Sequence, residues 1–217
     1  VFSSQVQINL DAIRHNVRLI KQFVGPSVAV LAAVKANGYG HGAVAVAKAA
    51  LEAGATWLGV AQLAEAVALR EAGLTGPVLV LGHTPAALAA QAIQLQLHIT
   101  FTDLATARAF SAAAVAAQTL CWAHIKIDTG MGRLGVLPDD AQAFIAQVLA
   151  LPNIAMAGIF THFSCADSDP IYTQYQIQQF ESIVLSLPAS ARIHACNSAG
   201  LMAYPQAHFD LVRLGIA

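Results

Sequence analysis

The sequence predicts a (β/α)8 barrel of the TIM type, on three observations. Eight apolar runs recur with helical patterns between them, the runs are continuous rather than alternating, and polar groups gather at their C-terminal ends. Continuous apolar strands separated by amphipathic helices are buried on both faces, as in a parallel sheet covered by helices. Eight such units point to closure into a barrel, for which about 250 residues is typical. At 217 residues the chain is a little shorter, yet long enough to bury a real core as one large α/β domain.

The first strand, Val28–Val34, breaks at Lys35 into a glycine-rich loop. A helix from Ala43 to Ala53 ends at Gly54, and a second from Leu63 to Ala72 stops at Gly73 after the strand Trp57–Val60. Strands follow at Val78–Leu81 and His98–Phe101, and Asp103 is placed to cap the next helix. The apolar stretch Ala112–Ile125 is interrupted by Gln118, Thr119 and His124 and reads as a helix running into the fifth strand, His124–Ile127. Asp139 reads as another N-cap, before strands Ile154–Phe160, Ile193–Cys196 and Leu211–Arg213. Ala217 comes directly after the eighth strand, so the last covering helix is expected to be missing. A doubly wound open sheet is the alternative, but no G-x-G-x-x-G turn follows the first strand.

Charged residues make up only 11% of the chain, against roughly 25% in an ordinary soluble domain. The hydrophobic 57% is inflated by alanine, which argues for packed helices, and no run reaches the roughly 18 to 20 apolar residues of a membrane span. A net charge of −1 with no Lys/Arg cluster argues against nucleic-acid binding. Cys121, Cys165 and Cys196 are widely spaced and odd in number, which fits a reducing cytoplasm better than a disulfide framework. The polar start has no secretory pattern, and Val1 in place of methionine suggests an excerpt or a processed form. A surface so poor in charge leaves room for an apolar patch and hence a partner.

In such a barrel the C-terminal strand ends face the active site. The first carries Lys35 and Tyr39, the fifth Lys126, Asp128 and Arg133, the sixth Thr161-His162-Phe163, the seventh His194 through Ser198, and the eighth Arg213-Leu214-Gly215-Ile216. A lysine where a buried strand ends is desolvated, which favours an amine that attacks a carbonyl. Each residue also has a plain structural reading. Lys35 could snorkel out of the strand end, Lys126 and Asp128 could be an ion pair, and Arg133 could be solvated. His162 could be a hydrogen-bonded core histidine, and Ser198 the N-cap of a helix starting at Ala199. A cap and an anion site are compatible, since a helix start offers free N–H groups to phosphate. Arg213 is costly to bury without an acceptor.

Val34-Lys35-Ala36-Asn37-Gly38-Tyr39-Gly40-His41-Gly42 resembles the cofactor-lysine signature of the alanine racemases. Lys126-Ile127-Asp128-Thr129-Gly130-Met131-Gly132-Arg133-Leu134-Gly135 is similar to that family's second signature, and the likeness begins at Ile8-Asn9-Leu10-Asp11. The resemblance implies that residues 1–217 form the barrel domain that binds pyridoxal 5′-phosphate, with no metal. Lys35 would hold the cofactor and move a proton on one face of the substrate Cα. Tyr39, Ser198 and the N–H groups of Gly215 and Ile216 would bind the phosphate. Arg213 would meet the pyridine nitrogen with support from His162, and Arg133 would reach the phenolic oxygen and the substrate carboxylate. Lys126 matches a lysine that is carbamylated in some members. The family implies a homodimer acting on alanine in the cytoplasm. Its β-rich second domain, expected to be absent from this chain, supplies a tyrosine as the base on the opposite face. The piece alone is therefore expected to be nearly inactive.

Rival readings remain at this point. A metal-dependent hydrolase would draw ligands from His162, Cys165, His194 and Cys196, although no His-x-His pair ends the first strand. A barrel that binds pyridoxal phosphate without catalysis would lack the long Lys126–Gly135 signature. A racemase of serine or of broader specificity is the third.

Overall fold

The computed structural model describes residues 4–185 and 191–216; Val1 and Ala217, named above, lie outside them. Eight strands form one parallel sheet: β1 (Ala29–Ala33), β2 (Trp57–Val60), β3 (Val78–Val80), β4 (His98–Phe101), β5 (Cys121–Lys126), β6 (Ile154–Phe160), β7 (Arg192–His194) and β8 (Leu211–Leu214). Their order is β7-β6-β5-β4-β3-β2-β1-β8. The two end strands meet through single bonds: Arg213 N–H donates to the Cys196 carbonyl and Asp210 N–H to that of Ile193, both at 3.0 Å. The Asp210 carboxylate accepts the Ile193 N–H at 2.7 Å. The result is the expected TIM-type barrel, nearly closed.

The helices are α1 (Leu10–Val24), α2 (Lys35–Tyr39), α3 (Ala43–Glu52), α4 (Leu63–Glu71), α5 (Ala89–Gln94), α6 (Leu104–Ala116), α7 (Pro138–Leu149), α8 (Pro170–Val184) and α9 (Ser198–Ala203). Asp103 caps α6 as expected, its carboxylate accepting the Thr106 N–H at 2.7 Å. Asp139 does not cap α7. Leu137 holds that position because Pro138 fills the first helical site, where its missing N–H costs nothing, and Asp139 falls in the first turn. Ser198 likewise is not a cap; Asn197 is, its side chain accepting the Gly200 N–H at 2.9 Å. No helix follows β8 among the described residues.

Side chains alternate between two cores. Val30, Leu58, Val60, Ile99 and Phe101 point outward to the helices, where small alanines such as Ala47, Ala66 and Ala107 allow close packing. Leu31, Trp57, Leu79 and Leu211 form a separate buried cluster that fills one half of the barrel interior. Burying each such side chain contributes roughly 1.5–3 kcal/mol. The other half is polar, built from His98, His124, His194 and Arg213 on β4, β5, β7 and β8. Among the described residues no helix is long and apolar enough to cross a membrane.

Candidate functional site

Lys35 follows β1 by two residues and opens a turn of the wrong hand. Ala36, Asn37 and Tyr39 have φ of 51°, 54° and 56°, and Gly38 between them has 62°. The left-handed conformation costs an L-residue about 1–2 kcal/mol, so the turn must be held from outside. Gly40 N–H donates to the Ala36 carbonyl at 3.0 Å and Gly42 N–H to that of Asn37 at 2.9 Å. The Asn37 side chain accepts the Ala43 N–H at 2.9 Å. From α4, the Glu65 carboxylate accepts the N–H groups of Ala36 at 2.6 Å, Ala61 at 2.6 Å and Gln62 at 3.1 Å. Glu65 had only a capping-box spacing after Gln62 to mark it in the sequence.

The second signature is shaped by Asp128. Its carboxylate accepts the backbone N–H groups of Gly130, Gly132 and Arg133, each at 3.0 Å. Burial pushes this carboxyl up, but those bonds outweigh it and hold it below the usual range. Asp128 therefore builds the loop that presents Arg133 instead of pairing with Lys126. A Cβ on Gly135 would lie 2.5 Å from the Asp128 nitrogen, so the loop closes only with glycine there. Tyr172 on α8 donates to the Gly130 carbonyl at 2.8 Å and pins the loop from the other side; nothing in its sequence context marked it.

These elements surround a cavity of about 460 Å³ that brings together every site residue expected from the sequence: Lys35, Tyr39, Lys126, Arg133, His162, Ser198, Arg213, Gly215 and Ile216. Four of them are cationic side chains, and Asp167 is the one carboxylate that joins them on the wall among the described residues. The Lys35 amine is lowered by burial, then by Arg133, with Glu65 opposing and Arg213 adding to the effect. Lys126 is pushed down to about 8 by burial and then by Arg133 and Arg213. Its amine makes no hydrogen bond among the described residues and lies 5.7 Å from the centre of the Phe160 ring.

At the end of β8, Ser198 Oγ accepts the Gly215 N–H at 3.0 Å. A Cβ on Gly215 would lie 2.6 Å from the Tyr39 hydroxyl oxygen. The phenol and the backbone thus touch only because that side chain is absent. Tyr39 is itself raised by burial, which keeps its hydroxyl protonated.

Arg213 is buried and well satisfied. Its Nη2 donates to the carbonyls of Thr161 and Ala195, both at 2.7 Å, and lies 3.3 Å from His162 Nδ1. Its Nη1 donates to His194 Nδ1 at 3.0 Å. Burial lowers the guanidinium to about 10, so it stays charged near neutrality. His162 falls to about 3, through burial and then Arg213, and is neutral. The metal-ligand set is not assembled: His194 has both ring nitrogens bonded, and Cys196 donates to the Ala207 carbonyl at 3.1 Å. Among the described residues no three His, Cys, Asp or Glu side chains come together to hold a metal ion.

Comparison with known proteins agrees with this geometry. Residues 8–217 match the family described as alanine racemase, N-terminal domain. The chain is 45% identical to the alanine racemase of Desulfosudis oleivorans over its whole length and 44% identical to that of Desulforamulus reducens over 97% of it, covering 59% and 58% of those proteins. The solved alanine racemase of Clostridium difficile 630 superposes with a TM-score of 0.90 at 34% identity, over 98% of this chain and 58% of that one. The enzyme from Streptomyces lavendulae gives 0.90 at 35%, over 96% and 56%. The chain thus spans less than two thirds of the relatives it matches, and over that span it belongs to the alanine racemase family, as the family's N-terminal barrel domain.

Proposed function

We propose that this chain is the cofactor-binding part of an enzyme that interconverts L- and D-alanine, with pyridoxal 5′-phosphate held at Lys35. The observation that carries the reading is the charge and shape of the cavity. Lys35, Lys126, Arg133 and Arg213 line it against one carboxylate, which calls for a ligand with several negative groups. Pyridoxal phosphate offers a phosphate and a phenolic oxygen, and alanine adds a carboxylate. The tight approach of Tyr39 to Gly215 leaves a phenol, the Ser198 hydroxyl and backbone N–H groups together as a phosphate cradle.

When bound, the cofactor supplies an electron-accepting ring that stabilises negative charge at the substrate Cα. The protein's part is proton management and orientation. The Lys35 amine, lowered by its burial, is a competent nucleophile and a base for one face of Cα. Arg213 is a donor that does not release its proton, so it would hold a pyridine nitrogen by a hydrogen bond without protonating it. The two hydrogens of Arg213 Nη2 go to the Thr161 and Ala195 carbonyls, and His162, with Nδ1 3.3 Å from the same nitrogen, steadies the guanidinium from the side. Arg133 presents a planar fork suited to a phenolic oxygen and a carboxylate. The base for the opposite face, a tyrosine of a second domain reaching across a homodimer, belongs in this reading to residues outside these 217.

Borohydride reduction of the full-length protein, followed by peptide mass mapping, tests the cofactor site: label on Lys35 is expected, and label elsewhere overturns it. Exchange of the alanine Cα proton with deuterated water tests the reaction. Exchange abolished in Lys35→Ala is the expected result; undiminished exchange rejects the reading.

A further inference from the structure

The polar half of the barrel interior is one continuous chain of hydrogen bonds. Arg213 Nη1 lies 3.0 Å from His194 Nδ1, His194 Nε2 lies 3.0 Å from His124 Nδ1, and His124 Nε2 lies 3.3 Å from His98 Nδ1. A guanidinium has no acceptor, so Arg213 must donate and His194 Nδ1 must be bare. The His194 proton is then on Nε2 and points at His124 Nδ1. The same step repeats: His124 carries its proton on Nε2 and donates to His98 Nδ1. One arginine thereby fixes the tautomer of three imidazoles in series.

We propose that His124 and His98 are positioning residues for Arg213, acting through His194 as a one-directional donor chain from the cofactor side of the barrel to its floor. Protonating any of the three would set two donors against each other. Charges around the chain act the same way: Arg70 and Arg192 beside His98, and Arg192 and Arg213 beside His124 and His194. Burial, the largest cause at each, keeps all three neutral. No proton can then be relayed toward Arg213 without breaking the chain.

The backbone is built around this chain. The β5–β6 register slips between Ala123 and His124, so that Ala123 pairs with Met156 but His124 with Gly158. A Cβ on Gly158 would lie 2.6 Å from His124 Nδ1, the atom that accepts the hydrogen bond from His194. The bulge and the glycine together make the space for the ring. On the flanks, Phe160 stacks on His194 with centroids 4.7 Å apart, and Trp57 meets both His98 and His124 edge-on. At the floor, His98 borders an open cavity with Trp122, Arg192 and Asp210.

The consequence for catalysis rests on the reading that Arg213 meets the cofactor ring; the chain itself does not, and its test needs no cofactor. Nitrogen NMR of the 15N-histidine-labelled protein reads each tautomer directly. His98, His124 and His194 are expected to show a pyrrole-type Nε2 and a pyridine-type Nδ1 near neutral pH. A protonated ring or an Nδ1–H tautomer at any of the three in the wild type overturns the proposal. In His98→Leu the last acceptor is lost, and the His124 and His194 resonances should shift. His98→Gln, whose side-chain oxygen still accepts, should restore them. If the two inner histidines keep wild-type shifts in a folded His98→Leu protein, the chain does not reach the floor and the proposal fails. Should that variant not fold, the wild-type tautomers decide alone. Loss of the borohydride label from Lys35 would count against the cofactor reading while leaving these tautomers unchanged.

Discussion

The Glu65 carboxylate accepts the Ala36 N–H at 2.6 Å and so ties α4 to the left-handed turn that follows Lys35. The same carboxylate takes the Ala61 and Gln62 N–H groups, so three donors converge on two oxygens. The lysine's position therefore depends on a residue 30 places along the chain, through backbone rather than side-chain contact.

Glu65→Ala should lower stability by about 1–3 kcal/mol, through the loss of three backbone hydrogen bonds to a charged carboxylate. Glu65→Gln should do nearly as much harm, because its amide would turn N–H against N–H. Both should weaken cofactor capture by Lys35. Thermal denaturation and borohydride-trapped label measure the two effects, and wild-type behaviour of Glu65→Gln would show that the charge and the second oxygen are dispensable.

Gly215→Ala should fold, since the backbone there needs no positive φ, but its methyl would press on the Tyr39 hydroxyl. Displacing that phenol should weaken binding of pyridoxal phosphate by about tenfold or more, equivalent to about 1.4 kcal/mol. Equilibrium titration of the apoprotein with the cofactor gives the number. A second substitution, Tyr39→Phe, removes the hydroxyl that the methyl meets, and so should relieve part of the clash in Gly215→Ala.

The barrel was legible because its strands are continuous apolar runs. β2, β4 and β6 have the expected bounds, but β5 runs Cys121–Lys126 where His124–Ile127 was expected and β7 runs Arg192–His194 where Ile193–Cys196 was expected. Leu137 and Asn197 hold the cap positions in place of Asp139 and Ser198. The rim residues were legible because costly groups stood at strand ends. What sequence could not give was the support beneath them. Glu65, Tyr172 and His124 act on partners dozens of residues away, and an ordinary helix or strand position carries no mark of such a partner. The hand of the turn at Ala36 was equally hidden, since alanine does not announce a positive φ.

Stability should fall as pH drops from neutrality. His98 and His162 have folded values of about 4 and about 3, below the 6.5 of an unfolded histidine. Above 6.5 both states are neutral and the shift contributes nothing; below it only the unfolded chain gains the proton, so the folded state loses ground until the folded values are reached. At about pH 5 the loss is on the order of 2 kcal/mol per histidine. Thermal melts between about pH 7.5 and 5 should show a falling midpoint. His162→Gln should reduce the slope; an unchanged slope would mean that His162 is not held neutral.

Lys126 should react reversibly with carbon dioxide. With its amine pushed down to about 8, roughly a tenth is unprotonated at pH 7, far more than for a free lysine. The neutral amine adds to the carbon of CO₂ and releases one proton, leaving a carbamate anion. That exchanges a cation repelled by Arg133 and Arg213 for an acceptor able to bond the Arg133 fork, so the pocket itself favours the product. A carbon NMR signal from ¹³C-bicarbonate is expected in the wild type and absent in Lys126→Met. If the carbamate orients Arg133, removing bicarbonate should raise KM for alanine more than it lowers kcat, and the loss should be recovered on adding bicarbonate back. A wild-type protein that takes up no label at saturating bicarbonate would leave Lys126 as an unmodified amine, and Arg133 would then be held only by the Asp128 loop.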